Sequence, residues 1–207
     1  MSEKGRVEAF SDGVFAIAIT LLVLEIHVPE VEDGASLWTA LGHGWPSYFA
    51  YVVGFMVIGV MWINHHTVFG YIARVNRLLL SLNLLLLLVI VAVPWAIAIV
   101  ARYLDHGSQA SVAVAVFGLL MTAHSITFTA FFQYITRSPQ LLAANVDPAV
   151  FKGGRLSFAV GLGGYPILTL LAFVSAPLAL ALHGVLALYY AFDQTAARRA
   201  KALAERA

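Results

Sequence analysis

The chain has no cysteine. That absence excludes a disulfide framework, a thiol nucleophile and a thiolate metal site. Charge is scarce as well: Asp, Glu, Lys and Arg make up 11% of the 207 residues, where a soluble domain carries about 25%. A formal net charge of +1 offers nothing to a nucleic-acid backbone. What fills the chain instead is apolar, with 61% hydrophobic residues and a mean hydropathy of +0.86. A chain of this size keeps much of its surface in contact with its surroundings, so such an apolar excess cannot all be folded inward. The surroundings that fit are lipid; disorder and a cytosolic enzyme are excluded by the same composition.

A helix crosses a hydrocarbon core of roughly 30 Å with about 20 apolar residues. Such runs lie at Phe10–Val28, Ser47–Phe69, Leu78–Ala101 and Ala110–Ile135. The last apolar stretch, Leu156–Phe192, is long enough for two, and Ser175-Ala176-Pro177 offers a break, because proline disfavours helical geometry in the residue before it. Division there gives spans at Leu156–Phe173 and Pro177–Phe192, six in all, followed by a short charged tail at Asp193–Ala207. The reading is an all-α integral membrane protein with a single six-helix domain over residues 1–207. Lys4 and Arg6 precede the first run as they would in a signal peptide. That run exceeds a usual h-region of about 7–15 residues and no convincing small-residue cleavage site follows, so it reads as a retained span.

The distribution of basic residues orients the spans. Lys4 and Arg6 precede span one, Arg74 and Arg77 lie between spans two and three, Arg137, Lys152 and Arg155 between four and five, and Arg198, Arg199, Lys201 and Arg206 after six. All of these fall on one side of a six-span chain, and only Arg102 falls on the other. Both termini are therefore expected in the cytoplasm. The opposite loop carries Glu30, Glu32 and Asp33 instead. Trp38, Trp45 and Trp95 fall near span ends, where indole rings anchor at the interface.

Ionisable groups within spans are costly and mark candidate sites. Span one holds Arg6, Phe10-Ser11-Asp12 and, at its far end, Glu25 and His27. One reading of Ser11 and Asp12 is a helix N-terminal cap beside a basic anchor. The other joins them to the end of span two, Trp62-Ile63-Asn64-His65-His66, in which Asn64 and one histidine form a buried polar network with Ser11 and Asp12 at the cytoplasmic end. Adjacent histidines point about 100° apart on a helix and lack the i, i+4 spacing of a helical zinc site, so no metal is expected. No nucleophile–base arrangement points to an enzyme, and no cofactor is implied. Gly161, Gly163 and Gly164 before Tyr165 resemble a potassium-channel filter, although close helix packing explains them better. Asn83 and His124 lie within spans three and four as packing residues or members of a polar network. Phe10, Val14, Ile17, Leu21 and Leu24 recur at helical spacing on one stripe of span one, with Thr20 beside it; periodicity leaves open what that stripe faces.

The run Arg6-Val-Glu-Ala-Phe10-Ser11-Asp12 resembles the R-x-x-x-F-S-D signature of the transmembrane protein 175 family, potassium-permeable channels of prokaryotes and animal lysosomes. The continuation from Gly13 to Ile26 and the tryptophan, asparagine and histidine cluster ending span two are similar to its prokaryotic members. The resemblance implies a homotetramer in a prokaryotic cell membrane, conducting potassium and other monovalent cations, with the first helix of each subunit lining the pore. It places the constriction on Ile17, Leu21 and Leu24, a selectivity contribution on Thr20 and a structural role on Arg6, Phe10, Ser11 and Asp12, held through Trp62, Asn64, His65 and His66. Glu25, Glu30, Glu32 and Asp33 would then give the outer mouth a negative potential, unless they are simply a solvated acidic loop. The alternative function is a proton-coupled secondary transporter with Asp12, His65 or His66 as proton carriers.

Overall fold

The computed structural model of the protein describes residues 2–31, 34–144, 146 and 154–204, and within the last segment the side chains of residues 160–191. Arg155 and the basic residues of the C-terminal helix are therefore described by backbone alone, and Glu32, Asp33, Lys152 and Arg206 lie outside the described residues. The described chain is all-helical. The helices are α1 (Glu3–Leu21), α2 (Leu37–His43), α3 (Trp45–Gly70), α4 (Arg77–Val91), α5 (Val93–Tyr103), α6 (Ser108–Thr136), α7 (Gly154–Leu171) and α8 (Ala176–Ala204). Four helical stretches are long and apolar enough to cross a membrane: Glu3–Glu25, Trp45–Gly70, Arg77–Tyr103 and Ser108–Thr136. Two shorter apolar helices follow at Val160–Leu171 and Ala176–Ala191.

Local chemistry sets the helix ends. Ser2 caps α1 by accepting from the Gly5 N–H at 3.2 Å, with Glu3 in the first turn opposite the positive end of the helix dipole. The helix thus starts well before Phe10, and Ser11 and Asp12 stand about two turns inside it. They are not its N-cap. At the other end the chain tightens into a 3₁₀ turn over Leu22–Glu25 before Ile26 turns extended. Asn76 caps α4, accepting from the Leu79 N–H at 2.9 Å while its amide donates to the Tyr134 hydroxyl at 2.8 Å. The third apolar stretch is interrupted at Ala92, because Pro94 has no N–H to continue the ladder and its ring crowds the preceding turn. Gly107, at φ +55°, makes the turn into α6 in a region that favours glycine. Past Phe192, α8 continues into the charged tail as far as Ala204.

α6 is the central helix, packed against α4, α5, α7 and α8. Phe117, Met121, Phe131 and Ile135 from it are fully buried beside Ile58, Leu86, Ile90 and Ile97. Lipid is as apolar as these side chains, so what holds such helices together is close packing between small residues and polar contacts. Gly118 of α6 shows the closeness: a Cβ there would collide with the Thr169 hydroxyl and lie 3.1 Å from the Thr169 Cα of α7. Gly161 faces Tyr190 and Ser125, at 2.6 and 2.7 Å from where a Cβ would stand, and Gly164 faces Leu186 at 3.4 Å. Gly161 and Gly164 lie within helix α7 at close contacts, which fits close packing and not an extended ion filter, whereas Gly163 has nothing within 4 Å of where a Cβ would stand.

Candidate pore helix and its polar anchor

α1 is the least enclosed of the long apolar helices. Within the chain, 22% of its apolar window is buried, against 44%, 50% and 56% for the next three. Ser11, Phe15, Ala18 and Leu22 turn inward against α3, α4 and α5. The opposite face presents Arg6, Phe10, Gly13, Ile17, Thr20, Leu21 and Leu24, all exposed, within an arc of roughly 100° on a helical projection. Ile17 and Leu24 are 61% and 66% exposed, which makes them large apolar side chains with no cover from their own chain. Val14 departs from the expected stripe. It sits at the edge of the arc and packs partly against the core, and Gly13 takes its place on the open face. Thr20 donates its hydroxyl hydrogen back to the Ala16 and Ile17 carbonyls, both at 2.9 Å, so its oxygen lone pairs are left for an outside partner.

The inward face is tied down by a chain of hydrogen bonds whose directions can be worked out. Ser11 Oγ donates to the Val7 carbonyl at 2.9 Å. A hydroxyl has one hydrogen, so towards Asn83 Ser11 can only accept, and Asn83 Nδ2 donates to it at 3.0 Å. The other end of that amide, Oδ1, then accepts from His65 Nε2 at 2.8 Å, which makes His65 the Nε2–H tautomer. Ser11, Asn83 and His65 are all buried, and they join α1, α4 and α3 in that order. The His65 ring lies among Phe15, Phe69 and Phe131, with centroid distances of 5.3, 4.5 and 6.1 Å. One turn away, Trp62 Nε1 donates to Asp12 Oδ1 at 2.9 Å, a second tie between α3 and α1.

The remaining candidates fall as follows. His66 stacks on Trp62 at 5.6 Å and stands 3.8 Å from Glu8, which Lys4 approaches at 4.0 Å. Asn64 does not join Ser11 and Asp12; its Oδ1 is buried without a hydrogen-bond partner among the described residues, as are His65 Nδ1 and His124 Nδ1. Asn83 takes the central place that Asn64 was expected to share. The signal for it was present, a single amide in the leucine-rich stretch Arg77–Val91. Arg6 and Phe10 stand exposed on the open face of α1. Glu25 and His27 line a cavity at the far end, and Glu30 is exposed. Among the described residues no group of three or more His, Asp or Glu side chains converges to hold a metal.

Comparison with known proteins fits this arrangement. A sequence model of the family described as endosomal/lysosomal potassium channel TMEM175 matches residues 6–94. That segment holds α1, α3, α4 and both of the ties described above. A potassium channel of Streptomyces collinus is 56% identical over 194 residues, 94% of each chain. One of Chamaesiphon minutus is 40% identical over 197 residues, covering 94% of this chain and 97% of that one. The crystal structure of a lysosomal potassium-selective channel TMEM175 homologue from Chamaesiphon minutus superimposes with a TM-score of 0.83 at 38% identity, covering 93% of this chain and 98% of that one. With a polar anchor that turns one apolar face of α1 outward, and relatives matched over nearly their whole length, this chain belongs to the TMEM175 family.

Proposed function

We propose that the protein is a potassium-permeable cation channel, and that the open face of α1 lines its pore. The observation that carries this is the split character of α1: one face fastened to α3 and α4 through Ser11, Asn83, His65, Asp12 and Trp62, the other a row of uncovered side chains. The relatives named as potassium channels lend the ion. The two shorter apolar helices count as spans five and six, giving six spans with both termini in the cytoplasm of a prokaryotic cell and a single domain over residues 1–207. Further copies must complete the pore, since one copy leaves the Ile17, Leu21 and Leu24 row without a facing surface, and four is the number that the family resemblance implies. No cofactor enters this reading, and no enzymatic step.

In a fourfold arrangement the row becomes stacked rings, Leu24 and Leu21 toward the outside and Ile17 toward the cytoplasm. Apolar rings close a narrow pore by dewetting, since they give an ion no replacement for its hydration shell. A small outward tilt or rotation of α1 would widen the Ile17 ring enough for water and a partly hydrated ion. Thr20 supplies an acceptor oxygen beside that ring, because its hydrogen is committed to the helix backbone. Potassium gives up its water more readily than sodium, so such a throat favours potassium modestly. The acids Glu30, Glu32 and Asp33, with Glu25 behind them, concentrate cations at the outer mouth.

The test is flux from purified protein in liposomes under a potassium gradient, with sodium and a proton ionophore as controls. Flux that follows the potassium gradient with pH clamped is the expected result. Flux that collapses with the proton gradient would overturn it in favour of a proton-coupled transporter. Asp12, His65 and His66 would then become the groups to replace.

A further inference from the structure

Arg102 is the one basic residue that the charge distribution sets apart from the rest, at the end where Glu25 and Glu30 lie. It is exposed and makes no ion pair among the described residues. Its guanidinium lies 5.9 Å from the Tyr103 ring. Both side chains line a cavity of about 530 Å³ between the 3₁₀ turn that follows α1, the start of α3 and one side of α5, shared with Glu25, His27, Ser47, Trp95 and Ile99. That volume is in the range of about 300–1,000 Å³ in which ligand sites are usually found.

The lining is chemically divided. Arg102 offers a guanidinium suited to a phosphate, and Ser47 a hydroxyl in the first turn of the long helix α3, whose positive dipole end favours an anion. Glu25 offers a half-buried carboxylate, which has no ion pair of its own among the described residues and would repel a purely anionic ligand. Trp95, 61% exposed, and Ile99 supply an apolar wall below Arg102. An indole in that position also favours a cation over its face. A ligand matching all three carries a phosphate, an ammonium group and an apolar extension. We propose that this cavity binds the headgroup of a zwitterionic phospholipid of the phosphatidylethanolamine class, phosphate on Arg102 and Ser47, primary ammonium on Glu25, acyl chains along Trp95 and Ile99. The inference rests on the membrane placement given above but not on which helix lines the pore.

The absence of cysteine allows a direct test. Ala98, half-buried and lining the cavity, is replaced by cysteine in the full-length protein and labelled from outside with a membrane-impermeant thiol reagent. Vesicles of phosphatidylglycerol alone are compared with phosphatidylethanolamine–phosphatidylglycerol mixtures. Exposed Gln109→Cys serves as the control for surface potential. The expected result is labelling about tenfold slower in the ethanolamine lipid, as for a site occupied about nine-tenths of the time, with the rate restored by Arg102→Gln and by Glu25→Gln. Equal rates in both lipids overturn the proposal. So does equal protection by phosphatidylglycerol, which would mark a plain anion site, and slow labelling in every lipid and variant, which would mean that a second copy covers the cavity. Potassium flux from the same vesicles separates the two readings: lipid-dependent protection without flux faults the channel assignment and leaves the lipid site standing.

Discussion

Replacing Asn83 by leucine should loosen α1 from the rest of the molecule while leaving the helices themselves intact. Leucine keeps the size of the side chain and suits the apolar run of α4, so the change removes hydrogen bonds more than packing. Two are lost, to Ser11 at 3.0 Å and to His65 at 2.8 Å. The consequences are unequal. Ser11 retains its bond to the Val7 carbonyl, whereas the His65 Nε2–H is left buried among phenylalanine rings. Hydrogen bonds between membrane helices average about 0.6 kcal/mol and reach about 1.7, and stranding a buried donor costs about 1–3 kcal/mol. The stranding dominates, so Asn83→Leu should cost about 1.5–3 kcal/mol in reversible unfolding in mixed micelles. Ser11→Ala in the parent strands the Asn83 amide in turn, but in the Asn83→Leu background it has nothing left to strand. The two changes should therefore be non-additive by about 0.6–1.7 kcal/mol. Single variants as stable as the parent, or strictly additive losses, would refute the anchor.

Four further outcomes follow from the same geometry. Ile17→Asn, which puts an amide on the open face of α1, should raise basal potassium flux in liposomes and weaken discrimination against sodium; unchanged flux would remove Ile17 from the constriction. Asp12→Ala strips the acceptor from the exposed Trp62 indole and should cost about 0.5–1.5 kcal/mol, read as a lower yield of assembled protein on size exclusion. Gly118→Ala forces a methyl group into Thr169 and should destabilise by about 1–3 kcal/mol as overpacking does, with Thr169→Ala restoring part of the loss in a thermal-shift assay. Neutralising Glu25, Glu30, Glu32 and Asp33 together should lower single-channel inward conductance at low salt and leave it nearly unchanged at high salt, where screening removes the field.

Composition was enough to put the chain in lipid, because 61% hydrophobic residues in 207 cannot be hidden inside a chain of that length. Run length and proline punctuation located most helices, since hydrocarbon thickness and the missing proline N–H act locally. The row on α1 was nearly legible for the same reason, helical periodicity being a property of sequence. Its one misplaced member, Val14, belongs to the edge of the face, and only the neighbouring helices show where that edge lies. The start of α1 at Glu3 and the run of α8 to Ala204 were less visible, as charged residues at a helix end lower hydropathy without stopping the helix, and the Ala92 break before Pro94 lies inside an unbroken apolar run.

What tertiary structure alone decided was which polar groups meet. Ser11 and Asn83 are 72 positions apart and Asp12 and Trp62 are 50 apart, and no local rule joins residues at such separations. Asn64 and Asn83 are the same residue type, yet Asn83 reaches Ser11 and His65 while the Asn64 Oδ1 meets no hydrogen-bond partner among the described residues. The same is true of Arg102 and Glu25, far apart in sequence and brought to one cavity by the packing of α5 beside the end of α1. A sequence fixes what each side chain can donate or accept; the crossing of helices determines which of those groups come within 3 Å.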